Sequence, residues 1–224
     1  MNKLNHVAFI MDGNGRWGKK RRKSRNFGHL NGVQTVKKVV QASVKYGIPV
    51  ISFYVFSTEN WKRPRKEIKF LFSLIDVYFK KELKNIINNG IKVNILGENK
   101  NLPTKLKKIL KTVVIKTKRN KKIIVNLAIN YGSKRELIHS FNKVRKNSRI
   151  NEKMIDKNLY TKNIPHPDIL IRTGGQNRLS NFMLWQLAYC EIYFVKKLWP
   201  DFKARDLKKI IDNFSKIKRN FGGI

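Results

Sequence analysis

Only one cysteine, Cys190, occurs in the 224 residues. A single thiol excludes an internal disulfide and a cysteine-based zinc cluster. Carboxylates are scarce as well: Asp and Glu number 14 against 50 Lys and Arg, for a net charge of +36. An acid placed within a motif is therefore less readily dismissed as surface decoration. Long apolar runs are missing too. Stretches such as Pro49–Phe56 fall well short of the roughly 20 residues that span a bilayer. No signal-peptide pattern precedes the first strand-like segment, so a cytoplasmic protein is expected, with one domain over residues 1–224. The cationic surplus alone fits nucleic acid, an anionic membrane surface or polyphosphate substrates. The lysines are spread over every helix-like segment rather than gathered in one stripe. The chain is also rich in Asn and Ile, which AT-rich codons favour, so the charge by itself assigns no partner.

What is present is an alternation of two periodicities. Short β-branched and aromatic runs at His6–Met11, Pro49–Phe56, Ile91–Leu96, Ile123–Ile129, Asp168–Arg172 and Glu191–Val195 read as strands. Between them, Leu30–Lys45, Glu67–Asn88, Leu102–Lys118, Ser133–Asn147, Asn151–Tyr160 and Ala204–Lys218 carry apolar residues at helical spacing. This rhythm predicts an α/β fold with a parallel sheet covered by helices on both faces. In such sheets ligands bind at the carboxyl ends of the strands. The polar clusters do follow strands: Asp12–Trp17, Ser57–Trp61, Asn130–Gly132 and Arg172–Gly175. All are expected at one edge.

Gly13–Gly18 matches G-x-G-x-x-G, a weak dinucleotide signal on its own. Asp12 before the first glycine, the bulky Arg16 and Trp17, and the lack of an acid about 20 positions on all speak against it. A glycine loop cradling a diphosphate near a helix start is the better reading, with Gly13, Asn14, Gly15, Arg16 and Arg25 around the anion. Asp12 would hold Mg²⁺ against it, oxygen ligands suiting that ion. A lone histidine is usually structural, but His29 lies just downstream of this loop. Ser57, Thr58, Glu59, Asn60, Lys62 and Arg63 surround Trp61, consistent with a helix cap or with a site facing an organic chain. Arg172, Arg178, Leu179 and Ser180 flank a Gly-Gly turn suited to phosphate. Glu191, amid apolar neighbours, calls for a partner or a metal.

HVAFIMDGNGRW at His6–Trp17, FSTENW at Phe56–Trp61, IRTGG at Ile171–Gly175 and LWPDF at Leu198–Phe202 resemble the signatures of the cis-prenyltransferases, notably the bacterial undecaprenyl diphosphate synthase type. The match runs in order from about His6 to Gly223. The resemblance implies a central six-stranded parallel sheet flanked by helices, an apolar product tunnel and a homodimer. It also implies a reaction: an allylic diphosphate, typically farnesyl diphosphate, is elongated by successive cis additions of isopentenyl diphosphate. The product is a long polyprenyl diphosphate, a glycan lipid carrier released with peripheral contact to a membrane.

By matching position, Asp12 is the catalytic acid and Mg²⁺ ligand, with Glu191 contributing to the metal site. Gly13, Asn14, Gly15, Arg16, Arg25 and His29 hold the allylic diphosphate, and Trp17 and Trp61 border the substrate. Asn60 accepts the proton, beside Ser57, Thr58 and Glu59. Arg63, Arg172, Arg178 and Ser180 bind isopentenyl diphosphate, Leu179 lying between the last two. The trans-type Asp-Asp-x-x-Asp motif is absent, and Gln176 replaces a common Glu after the Gly-Gly turn. The helix Glu67–Asn88 with Ile123 and Ile124 is expected to line the tunnel, Ile123 at its closed end. Asp12, pointing into the site, is expected to contribute little to stability. The rival readings are a nicotinamide-dependent oxidoreductase built on Gly13–Gly18 and a basic nucleic-acid-binding protein; no nucleic-acid partner is expected.

Overall fold

The structure is a computed structural model that describes residues 2–146 and 149–219. Six strands, β1 (His6–Ile10), β2 (Val50–Ser57), β3 (Ile91–Leu96), β4 (Ile123–Tyr131), β5 (Ile169–Arg172) and β6 (Glu191–Phe194), form one sheet in the order β3-β4-β2-β1-β5-β6. Every pairing is parallel. The central strands β1 and β5 are buried on both faces, as strands covered on both sides must be, and read HVAFI and ILIR.

Alternation along each strand sorts the core into two faces. Val7, Phe9, Ile51, Phe53, Val125 and Ile171 point to a layer closed by α2 (Arg25–Lys45) and α7 (Ala204–Lys216), with Trp199 and Phe202 between. The same face continues under α3 (Arg65–Asn88) and α4 (Thr104–Thr117), where Phe72, Phe79, Leu106 and Leu110 meet Val93 and Ile129. Ala8, Ile10 and Leu170 point the other way, onto Phe182, Met183 and Leu187. That second face is therefore covered in part by a turn-rich segment, with α5 (Ser133–Val144) and α6 (Glu152–Asp156) beside it. Among the described residues no helix is long and apolar enough to cross a membrane.

The strand readings hold to within two residues, but four helices differ, α5 among them, since it stops at Val144 and Arg145 and Lys146 already form a turn. The segment expected as a glycine loop is helical: α1 spans Asn14–Lys20. Helix α2 starts at Arg25 rather than Leu30, capped by Ser24, whose side chain accepts the Phe27 N–H at 3.1 Å. Helix α6 ends at Asp156 and gives way to turns well before Tyr160. Asn147, the expected end of α5, and Gly223 lie outside the described residues.

Candidate active site

Three neighbouring strands, β2, β1 and β5, meet where the strand order reverses, the place where open α/β sheets bind ligands. Past β1 the chain turns at Asp12 and enters α1 through Gly13, at φ 108°. A side chain there would also run 2.8 Å from Leu198 Cδ2, so only glycine fits. A Cβ on Gly28 would lie 1.9 Å from the Asn14 carbonyl oxygen. That close approach sets α2 directly against α1 and carries Arg25 and His29 to the strand ends.

Asp12 stands between two arginines. Its Oδ2 lies 3.0 Å from Arg172 Nη2 and its Oδ1 lies 3.2 Å from Arg16 Nη2. Arg172, the last residue of β5, is buried, while the Asp12 side chain is 27% exposed. Arg172 Nη1 also donates to Ser180 Oγ at 2.7 Å and to the Arg178 carbonyl, and its Nε is buried without a partner. Ser180, Asn181 and Met183 all have positive φ, at 52°, 64° and 46°. This contorted backbone presents Ser180 and Arg178 to Arg172. Arg178 donates to Gln176 Oε1 at 2.6 Å.

Opposite, Glu67 on α3 gathers two arginines and a histidine that the sequence offered singly. Arg25 reaches it with two bonds of 3.1 and 3.2 Å, Arg63 Nη1 lies at 3.2 Å, and His29 Nε2 at 3.6 Å. Burial pushes the Glu67 carboxyl up, but Arg25, Arg63 and His29 outweigh it and leave it below its usual range. Burial, reinforced by Arg63 and opposed by Glu67, lowers the His29 pKa to about 4. The imidazole is therefore neutral at pH 7, and its Nε2 has no hydrogen-bond partner.

At the end of β2 the register against β4 shifts at Tyr54–Phe56 and again at Ser57. Such irregularities re-aim side chains next to sites. A 3-10 turn, Thr58–Lys62, follows, in which Asn60 Oδ1 accepts the Ser57 N–H at 3.2 Å. Asn181 Nδ2 donates to Glu59 Oε1 at 2.8 Å, joining this turn to the Ser180 segment. Burial raises the Glu59 carboxyl, while hydrogen bonds led by Asn181 more than offset it and hold it low.

These groups rim a cavity of about 710 Å³. Its mouth carries Asp12, Asn14, His29, Ser57, Glu59, Asn60, Arg63, Arg172, Arg178 and Ser180. Its depth, between α2, α3 and the sheet, is apolar: Val33, Val36, Leu71, Leu74, Ile75, Tyr78, Phe79, Leu127 and Ile129. A family model described as "Putative undecaprenyl diphosphate synthase" matches residues 10–222. The chain belongs to this family of cis-prenyltransferases. The isoprenyl transferase of Fusobacterium nucleatum is 42% identical over 221 residues, covering 98% of this chain and 96% of that one. The solved lavandulyl diphosphate synthase of Lavandula x intermedia, in complex with dimethylallyl diphosphate, superposes with a TM-score of 0.94 at 29% identity, covering 98% of each chain. A "probable undecaprenyl diphosphate synthase" from Campylobacter jejuni gives 0.85 at 36% identity, covering 99% of this chain and all of that one. Prenyl chain elongation is the activity these relationships support.

Not every residue expected from the cis-prenyltransferase motifs reaches the cavity. Trp17 and Trp61 do not line it. The Trp17 indole N–H is bound by Asp201 at 2.7 Å and its ring stacks on Phe27; Trp61 donates to Asn130 Oδ1 at 2.8 Å and packs on Phe56 and Phe72. Each is a support for its turn. Gly13, Gly15, Arg16, Arg25, Thr58 and Leu179 do not line the cavity either, although Arg16 stands at its rim on Asp12 and Arg25 on Glu67. Gly15 and Gly18 are helical, and side chains there would strike Arg25 and the Ser24 carbonyl. They serve helix packing, and the dinucleotide fingerprint loses its loop.

Glu191 does not join Asp12 within this subunit. It begins β6 opposite Ile169, a residue in register with Val7 at the far end of β1. From there to Ile10 is about 10 Å along the strands, and β6 lies two strand spacings from β1. Its Oε1 faces Arg219 Nε at 3.7 Å. Ile123 is buried in the core beneath α2 and α7 and does not close the cavity. Glu67 and Asn181 were missed by sequence reasoning. The i,i+4 spacing of Arg63 and Glu67 was the only local signal for either.

Proposed function

We propose that this cis-prenyltransferase joins an allylic diphosphate of the farnesyl type to isopentenyl diphosphate, repeating the addition to build a long polyprenyl diphosphate that carries glycans. The observation that carries this reading is the Asp12–Arg172 pair, 3.0 Å apart, at the boundary between a cationic mouth and an apolar cavity. The mouth suits diphosphates and the depth suits a hydrocarbon tail.

Asp12 fits a magnesium ligand. Among the described residues no cluster of three or more His, Cys, Asp or Glu could enclose a metal. Mg²⁺ asks for less: one or two carboxylates, with waters and substrate phosphates completing its shell. Bound at Asp12, it supplies charge stabilisation to the departing diphosphate, worth several kcal/mol. Arg16 and the neutral His29, with its free Nε2, hold the allylic diphosphate beside Asp12. Arg25 acts through Glu67. Arg63, Arg172, Arg178 and Ser180 take the isopentenyl diphosphate, charge-assisted bonds suited to its oxygens. As the allylic C–O bond breaks, the isopentenyl double bond forms the new C–C bond. A proton then leaves the adjacent carbon, and Asn60, oriented by Ser57 N–H, receives it. The tail lies along Val33, Leu71, Ile75 and Tyr78.

A homodimer is part of the same reading: β6 is an edge strand, and Ile192 and Phe194 are exposed on it. The product's hydrocarbon favours peripheral contact with a membrane, and a cytoplasmic location goes with it.

Incubation with farnesyl diphosphate, labelled isopentenyl diphosphate and Mg²⁺ tests the assignment. Label is expected in solvent-extractable polyprenyl chains, and excess EDTA is expected to stop its incorporation. Absence of extractable label overturns the substrate assignment; full turnover in EDTA removes the metal.

A further inference from the structure

The apolar cavity is bracketed by two ion pairs that cross the seam between α2 and α3. At the mouth Arg25 meets Glu67. At the other end Lys37 Nζ lies 3.1 and 3.0 Å from the two carboxylate oxygens of Glu82, and Asn85 Nδ2 donates to Glu82 Oε2 at 3.0 Å. Helical spacing places this second pair. Lys37 is one turn beyond Val33, and Glu82 one turn beyond Tyr78, both lining residues. Tyr78 senses the carboxylate: burial first, and then Glu82, push its phenol up to about 12. The Glu82 side chain is 12% exposed and that of Lys37 40%, so solvent lies behind the bridge.

We propose that the Lys37–Glu82 bridge is the latch that closes the distal end of the cavity and sets product length. This rests on the reading of the cavity as the site of the growing tail. A tail that fills the apolar depth meets a paired lysine and glutamate, and further growth requires it to break that pair or stop. The latch touches neither diphosphate, so it acts on length and not on substrate affinity.

The test uses the full-length protein with farnesyl diphosphate and labelled isopentenyl diphosphate, and sizes the products. Glu82→Gln keeps the shape and the Asn85 contact, and Lys37→Met keeps the apolar stem. Each is expected to shift the dominant product upward by one or more five-carbon units with KM for both substrates unchanged. The double charge reversal, Lys37→Glu with Glu82→Lys, is expected to restore the wild-type length. Lys80→Met is the control: it removes the Lys80–Asp76 pair at 2.9 Å, which stays within α3 and does not cross the seam. Its products are expected to match the wild type. An unchanged or shorter product in both latch variants overturns the proposal, as does an equal shift in Lys80→Met. Failure of the wild type to elongate at all would instead remove the underlying assignment of the cavity.

Discussion

Arg172 and Asp12, 160 positions apart, form a bridge of 3.0 Å in which the arginine side chain is 4% exposed. An Asp facing a site is expected to be dispensable for stability; this one neutralises a buried guanidinium. Removing one partner of a buried pair costs about 3–5 kcal/mol. Arg172 keeps its bonds to Ser180 and the Arg178 carbonyl, and Asp12 is partly exposed, so Asp12→Ala should fall below that, at about 1–3 kcal/mol, the range for a buried donor that loses its acceptor. Asp12→Asn, which retains an acceptor, should cost less. Both should lower kcat by orders of magnitude. Chemical denaturation beside single-turnover kinetics separates the effects, and full stability in Asp12→Ala would show that the bridge contributes nothing to the fold.

Asn181 serves the site by geometry alone. Its backbone is left-handed, its side chain donates to Glu59, and its Oδ1 accepts the Lys134 N–H at 2.9 Å. Asn181→Gly preserves the backbone conformation and removes both side-chain bonds; Asn181→Ala also adds roughly 1–2 kcal/mol of left-handed strain. The glycine variant should raise KM for isopentenyl diphosphate, because Ser180 and Arg178 lose their anchor, and leave KM for the allylic substrate unchanged. The alanine variant should in addition be less stable. Steady-state kinetics with each substrate varied in turn checks the first point, and thermal melting the second. An equal rise in both KM values would break the assignment.

The contrast between Asp12 and Asn181 shows how far the sequence carries. The strands were legible because β-branched runs such as IKVNIL can bury a face only by alternation, and β3 falls on those residues. The edge of the sheet bearing the site was legible because polar clusters follow strands. The helical start at Asn14 was not, since Gly15 and Gly18 mimic a loop pattern while their constraint comes from contacts with Arg25 and Ser24. Glu67 was hidden for a similar reason: its partner Arg25 is 42 positions away. Trp17 and Trp61 misled because an aromatic beside a motif looks like a substrate wall until the partner of its N–H is known. Glu191 misled because residue order says which strand carries it and only the register says at which end.

Arg178 differs from Arg172 in being held by one neutral group, Gln176, at 2.6 Å. It is freer to swing to an incoming phosphate. Arg178→Ala should raise KM for isopentenyl diphosphate by about one to two decades, from the loss of roughly 1.5–3 kcal/mol of charge-assisted bonding, without measurable destabilisation. Gln176→Glu should raise the same KM modestly, since a carboxylate competes with the diphosphate for the guanidinium. Kinetics at fixed allylic substrate measures both, and an unaltered KM in Arg178→Ala would take this residue out of the binding site.

His6 makes the fold itself sensitive to acid. The ring is buried: Nδ1 is 2.6 Å from the Pro165 carbonyl and Nε2 is 2.7 Å from Ser52 Oγ, which in turn accepts from Asn126 Nδ2 at 2.9 Å. A carbonyl only accepts, so the proton sits on Nδ1 and Nε2 takes the serine hydroxyl. Burial lowers the ring pKa from 6.5 to about 4, despite the opposing Pro165 carbonyl and Asp168. The unfolded chain protonates this histidine near 6.5, so between pH 6.5 and 4 the unfolded state binds more protons and stability rises with pH. The histidine's contribution is complete above 6.5 and is lost as pH falls toward 4, an effect on the order of 3 kcal/mol. His29, also lowered to about 4, adds in the same direction. His6→Gln removes one titration and retains a polar side chain. It should be less stable than the wild type at pH 7, but its stability should fall less steeply between pH 6.5 and 4. Urea denaturation at several pH values gives both slopes, and identical slopes in the two proteins would show that His6 does not carry the acid sensitivity.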